Sequence, residues 1–194
     1  MNLKYGRRER DQSKMGTGVV GESKHIEYST PLGIVNPLIK EFEITRDVCA
    51  SEENYKAPDY WTKEEDALSK KWDGNCWMNP PFGRDLKKWV KKAYSETYIV
   101  TQKDIFTSGS SYINGTKVCL LPVRSNTKWW SEIIMDSEVR FINGEVNFSN
   151  KKRGLWLPMC IVIFGEKAKI GKFSVINYRE GIKINLCQAR PNNT

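Results

Sequence analysis

Asn79-Pro80-Pro81-Phe82 puts an amide, two prolines and an aromatic ring directly after the apolar run "CWM" and before the basic segment "GRDLKKWVKK". Two prolines fix two φ angles and remove two backbone donors, so they end a strand and stiffen the turn that follows. Punctuation of that kind needs neither the amide before it nor the ring after it. Together the four residue types suit methylation of a planar exocyclic amine. Such a nitrogen is a poor nucleophile because its lone pair is delocalised. The side-chain oxygen of Asn79 and the rigidly held carbonyl of Pro80 can each accept one amine hydrogen, drawing the nitrogen toward tetrahedral geometry. As the nitrogen becomes positive, these fixed acceptors stabilise the transition state more than the ground state. Phe82 offers a face for a base taken out of its stack. An adenine amine, a guanine amine and a glutamine side-chain amide all meet this description.

The elements around the tetrapeptide follow from periodicity. Leu32, Val35, Leu38, Ile39 and Phe42 recur at helical spacing, with Pro37 inside the run. "ITRDVCA" (44–50), "DYWT" and "NCWMN" (75–79) read as short strands, the last stopped by the prolines. Asp85 stands where an N-cap belongs, before a helix whose Leu86, Trp89, Val90, Ala93 and Tyr94 share one face. "TSGSSYINGT" (107–116) reads as a loop, and "KVCLLPV" (117–123) and "MCIVIFG" (159–165) as buried strands. A helix is expected through "NTKWWSEIIMD". Asn143-Gly144 inside "EVRFINGEVNF" signals a hairpin, and the tail "KFSVINYREGIKINL" a further one. Strands alternating with helices argue for an α/β sheet domain, in whose open form ligands bind at the carboxyl ends of the strands.

Bulk properties narrow the classes. The 194 residues suffice for one domain with a sizeable core. No apolar run approaches the roughly 18 residues of a membrane span, and the N-terminus has no signal-peptide core, so a cytosolic protein is expected. The five cysteines form no C-x-x-C pair and His25 is the sole histidine, which argues against a metal site, a redox motif or a histidine triad. A net charge of +8 favours polyanionic partners. Residues 1–28 read as a basic flexible arm, in which "GTGVVG" lacks the flanking strand and helix of a dinucleotide fingerprint. Nothing in the pattern specifies an oligomeric state.

From "STPLGIVNPLIKEF" through "DVCAS", "EEDAL" and "NPPF" to "LLPVRSNTKWW", "VRFINGEVNF" and "LPMCIVIFG", about residues 28–165, the chain resembles the phage-type DNA N-6-adenine methyltransferases, the Dam family. The resemblance implies a reduced Rossmann-like methyltransferase sheet with a C-terminal β-hairpin, built from a single domain over residues 29–194. It implies S-adenosylmethionine as cofactor and double-stranded DNA as substrate, in a stand-alone modification enzyme. By the resemblance, Thr30 and Pro31 belong to a segment closing over the methionine end of the cofactor. Asp47 lies near its ammonium group, Asp66 against its adenine amine, and Asn79, Pro80, Pro81 and Phe82 form the catalytic motif. The chain departs from the family in three places. "ASEEN" replaces a glycine-rich loop, the ribose-holding acid has only Asp59 and Glu65 as candidates, and Glu145 stands where a basic residue is common. Without a separate recognition domain, DNA reading falls to the segments 107–117 and 138–148 and the arm, with Lys128, Arg140, Lys151, Lys152 and Arg153 as phosphate contacts. A methyltransferase acting on an RNA base or a protein glutamine, and a DNA-binding protein without catalysis, are the alternative readings.

Overall fold

The computed structural model describes residues 29–100, 111–148, 157–177 and 182–185. In chain order it contains α1 (Leu32–Phe42), β1 (Arg46–Asp47), β2 (Asp59–Tyr60), β3 (Cys76–Met78), α2 (Leu86–Ser95), β4 (Tyr98–Val100), β5 (Ser111–Ile113) and β6 (Thr116–Pro122). A π-helical turn (Trp130–Ile134), β7 (Glu138–Ile142), β8 (Met159–Gly165), β9 (Phe173–Asn177) and β10 (Ile182–Asn185) follow. The main sheet has eight strands in the order β10-β9-β7-β8-β6-β3-β1-β2. β2, β1, β3 and β6 run parallel, β8 enters antiparallel between β6 and β7, and β9 and β10 form the antiparallel C-terminal hairpin. This is the mixed α/β sheet expected of a Rossmann-like methyltransferase.

Alternation along the central strands builds two cores. In β3, Cys76 and Met78 point to one face, where Val48, Leu86, Val90, Cys119 and Leu121 pack. Trp77 points to the other, against Phe42, Val118, Leu120 and Ile161. A strand buried on both faces reads as an unbroken apolar run, which is why β3, β6 and β8 are visible in the sequence. α1 covers the Trp77 face through Ile34, Val35, Leu38 and Phe42, and runs on through Pro37 to a left-handed Glu43 (φ 51°). α2 covers the opposite face through Leu86, Val90 and Ala93.

Parallel strands put all their carboxyl ends at one edge, so Asp47 and the residues following Met78 emerge together. The opposite edge is closed by Lys117, a fully buried lysine whose Nζ donates to the carbonyls of Gly74, at 2.7 Å, and Asn114. Gly115 (φ 69°) and Gly165 (φ 101°) meet there backbone to backbone, and a Cβ on Gly165 would run into the Gly115 carbonyl. Glycine is the residue both backbone conformation and space allow.

Four local expectations change. Asp85 makes no side-chain capping bond to the backbone of α2; its carboxylate instead pairs with Lys88 at 2.8 Å. The helix expected after Asn126 widens into a π turn, in which the Met135 N–H reaches the Trp130 carbonyl. Ser111–Ile113, within the expected loop, pairs with β4 as a separate two-stranded ribbon. The hairpin expected about Asn143-Gly144 does not form: β7 is flanked by β8 on one side and β9 on the other, leaving no free edge for residues 145–148. Among the described residues no helix is long and apolar enough to cross a membrane. The basic arm lies outside the described residues.

Candidate active site

The prolines deliver Asn79 to the end of β3 and stop the strand there. Pro80 is buried, Asn79 and Phe82 are half-buried, and the Asn79 side-chain oxygen is shielded from solvent. The Asn79 backbone N–H donates to the Cys49 sulfur, fastening the tetrapeptide to the segment after β1. Burial, with the negative charge of Asp47 nearby, holds the Cys49 thiol well above its ordinary value. It is a wall of the site rather than a nucleophile.

These residues open onto a cleft of about 280 Å³, lined by Val48, Ala50, Asn54, Trp61, Asp66 and Trp89 together with Cys49 and Asn79 to Phe82. That volume lies near the small end of ligand sites, about 300–1,000 Å³. Trp61 and Trp89 supply aromatic walls and Ala67 a buried floor. Arg46 lies 4.5 Å from the Trp61 ring centre and Lys70 5.2 Å, contacts that fix the indole. Asp66 reaches the rim in a left-handed conformation (φ 47°), uncommon for a residue other than glycine. Phe82 is met edge-on by Phe148, with ring centres 6.5 Å apart.

Behind the cleft, the Asp47 carboxylate is 2% exposed. It accepts backbone hydrogen bonds from Cys49 and Lys56, both at 3.0 Å. Burial nevertheless dominates and pushes its pKa up to about 6. Desolvation lowers that of Lys56, opposed by the attraction of Asp47. Lys56 Nζ donates to Asn54 Oδ1 at 2.7 Å and to Ser29 Oγ at 3.2 Å, tying the segment before α1 to the Asp47 loop. Beside Ser29, the Thr30 hydroxyl is buried without a hydrogen-bond partner. A desolvated carboxylate and an orphaned hydroxyl both cost stability until a ligand satisfies them. An ammonium-bearing amino acid moiety offers what both lack.

A profile of the family described as DNA N-6-adenine-methyltransferase (Dam) matches residues 20–183. A DNA N-6-adenine-methyltransferase of Haemophilus phage HP1 (strain HP1c1) is 30% identical over 167 residues, covering 79% of this chain and 87% of the relative. The chain belongs to the Dam family.

Within this Dam-family fold, the cleft gathers Asn79, Pro80, Pro81, Phe82 and Asp66, with Asp47 behind it and Thr30 reached through Ser29 and Lys56. Pro31 precedes α1 as its N-cap residue. The two acids weighed for a ribose are engaged elsewhere: Asp59 pairs with Arg46 at 2.5 Å, and Glu65 accepts from the Thr62 N–H at 2.9 Å and pairs with Lys70. Neither lines the cleft. Asn54 and Thr62 do, and neither stands out in the sequence. Trp61 and Trp89 were equally hidden, since tryptophan at such spacing reads as core.

The phosphate contacts fare unevenly. Arg140 is 3% exposed, its guanidinium held by Glu41 through two bonds of 2.6 Å and by the buried Glu138 at 2.8 Å. A charge so enclosed is not available to DNA, and Arg140 is withdrawn as a contact. Lys128 is exposed but paired with Glu132 at 3.3 Å. Lys151, Lys152 and Arg153 lie outside the described residues. Among the described residues no three His, Cys, Asp or Glu side chains cluster as a metal site requires.

Proposed function

We propose that this chain transfers a methyl group from S-adenosylmethionine to the N-6 amine of adenine in double-stranded DNA. The observation that carries the proposal is the place of Asn79-Pro80-Pro81-Phe82: at the carboxyl end of β3, in one cleft with Asp66 and two tryptophans, inside a Dam-family chain.

Asp47 would hold the cofactor's ammonium group, Thr30 its carboxylate, and Asp66 its adenine amine. Trp61 and Trp89 give an aromatic ring flat walls. When bound, the cofactor supplies an electrophilic methyl group on a sulfonium. The chain's own part is to make the adenine nitrogen receptive. Asn79 Oδ1 and the Pro80 carbonyl each accept an amine hydrogen, which localises the lone pair. Both acceptors are fixed before reaction, so little reorganisation is needed as the nitrogen turns positive. Phe82, braced by Phe148, stacks on the extruded base and offsets part of the few kcal/mol spent in unstacking it. The product nitrogen is acidic enough to release its proton without a strong base.

The test is incubation of the purified protein with methyl-labelled S-adenosylmethionine and unmethylated bacterial DNA, followed by nucleoside mass spectrometry. Labelled N-6-methyladenine supports the proposal. Label in RNA or in protein glutamine but not in DNA replaces it with the corresponding alternative, and absence of cofactor binding replaces it with non-catalytic DNA binding.

A further inference from the structure

Five cations fall between residues 84 and 92, directly after the catalytic tetrapeptide. Two are neutralised by neighbouring acids: Lys88 pairs with Asp85 at 2.8 Å and Lys92 with Glu96 at 2.5 Å. Arg84, Lys87 and Lys91 are exposed and have no ion-pair partner among the described residues. Lys87 and Lys91 are four residues apart, so they share one face of α2 with about 6 Å of rise between them. Arg84 continues that line into the turn leading back to Phe82.

Helix stability does not account for this arrangement. The N-terminal end of a helix carries partial positive charge, so cations there are disfavoured by about 0.3–1 kcal/mol and acids are preferred. α2 has no acidic residue in its first turn, and the Asp85 carboxylate at its N-cap is taken up by Lys88. Its unpaired cations begin at that end, the end beside the cleft. A polyanion lying along this face of α2 relieves the cost and uses the helix terminus as well as the side chains. Of the other cations weighed as phosphate contacts, Arg140 is enclosed and Lys128 is paired.

We infer that Arg84, Lys87 and Lys91 form a track that holds the backbone phosphates of duplex DNA along α2, from the turn that follows the catalytic tetrapeptide. The inference rests on the proposed action on DNA and names the surface that grips it.

The test compares the triple variant Arg84→Ala/Lys87→Ala/Lys91→Ala with a control losing the same charge, Lys40→Ala/Lys71→Ala/Lys169→Ala. Lys40 lies in the last turn of α1, Lys71 precedes β3, and Lys169 follows β8, all toward the edge opposite the cleft. Binding of a duplex oligonucleotide is measured by fluorescence anisotropy over a range of salt, alongside steady-state kinetics. Each lost phosphate contact lowers the slope of log K against log salt by about 0.9, so the track variant should lose a slope of about 2–3. Its KM for DNA should rise ~10- to 100-fold, with kcat and cofactor affinity unchanged. A slope equal to that of the control, or a loss in kcat at unchanged KM, overturns the inference. Because anisotropy needs no turnover, a wild-type protein that binds duplex DNA through this track without methylating it would defeat the proposed function and leave the track standing.

Discussion

The Asp47 carboxylate accepts the backbone N–H of Lys56 at 3.0 Å, and the same lysine's ammonium reaches past Asn54 to Ser29. The buried acid and the segment before α1 are thereby parts of one network. Asp47 has a folded-state pKa of about 6 against an ordinary 3.8, the reverse of the usual paired carboxylate. The native chain therefore keeps this proton between pH ~4 and ~6, where the unfolded chain has released it. The contribution of Asp47 to stability falls as pH rises through that window, by an amount on the order of 3 kcal/mol. A bound ammonium group favours the charged form, so cofactor binding should expel the proton. Affinity should tighten ~10-fold per pH unit below 6 and level off above it. Calorimetry at pH 5, 6 and 7 in buffers of different ionisation enthalpy measures both affinity and proton release. Asp47→Asn should weaken binding and flatten the pH dependence; an unchanged pH profile would remove Asp47 from the ammonium site.

Asn79 makes a separable prediction. In the proposed mechanism its side chain serves the amine and not the cofactor, so Asn79→Ala should cut kcat ~10²- to 10³-fold, as losing one preorganised electrostatic contact does. Cofactor affinity should move no more than a few-fold. Single-turnover methylation and cofactor titration on the same preparation separate the two. Near-wild-type turnover would mean that the Pro80 carbonyl suffices alone.

What the sequence reveals and what it hides divide along a physical line. β3, β6 and β8 are legible because strands buried on both faces must be apolar throughout, and the prolines mark where β3 ends. Asn79 is legible because its neighbours restrict the backbone locally. Arg140 is not, because the carboxylate that encloses it belongs to Glu41, 99 residues away, and charge alone does not distinguish a buried arginine from a DNA contact. The hairpin about Gly144 misleads for the same reason. Its local turn signal is real, with φ 85° at Gly144, but the edges of β7 are claimed by strands that come later in the chain. Trp61 and Trp89 become site residues only when the β2 edge and α2 face one cleft.

Arg140 supplies a stability prediction that contrasts with the α2 track. Removing it leaves Glu138, which is 0% exposed, without its main countercharge. Arg140→Ala should destabilise the fold by about 3–5 kcal/mol, as breaking a buried pair does. Arg140→Ala/Glu138→Gln should recover part of that loss, because the uncompensated charge is gone. At temperatures where both variants remain folded, the salt dependence of DNA binding should match wild type. A lower salt slope with little loss of stability would return Arg140 to the DNA surface. Denaturant melts and anisotropy titrations decide between the two outcomes.

Phe148 gives the last prediction. It is 1% exposed, and its ring meets Phe82 at 63° with 6.5 Å between centres. An edge-to-face pair contributes about 0.5–1.5 kcal/mol beyond simple burial, and here it braces the ring on which the proposed mechanism stacks the extruded base. Phe148→Leu keeps apolar volume but loses the aromatic edge. Phe82 then gains freedom, and kcat/KM for DNA should fall ~3- to 10-fold. Cofactor affinity should stay at wild type, because Phe148 does not line the cleft. A mismatch opposite the target adenine lowers the unstacking cost, so the deficit should shrink on a mismatched duplex if base capture is what the ring supports. An equal deficit on paired and mismatched substrates would instead mean that Phe148 acts through general packing of the core.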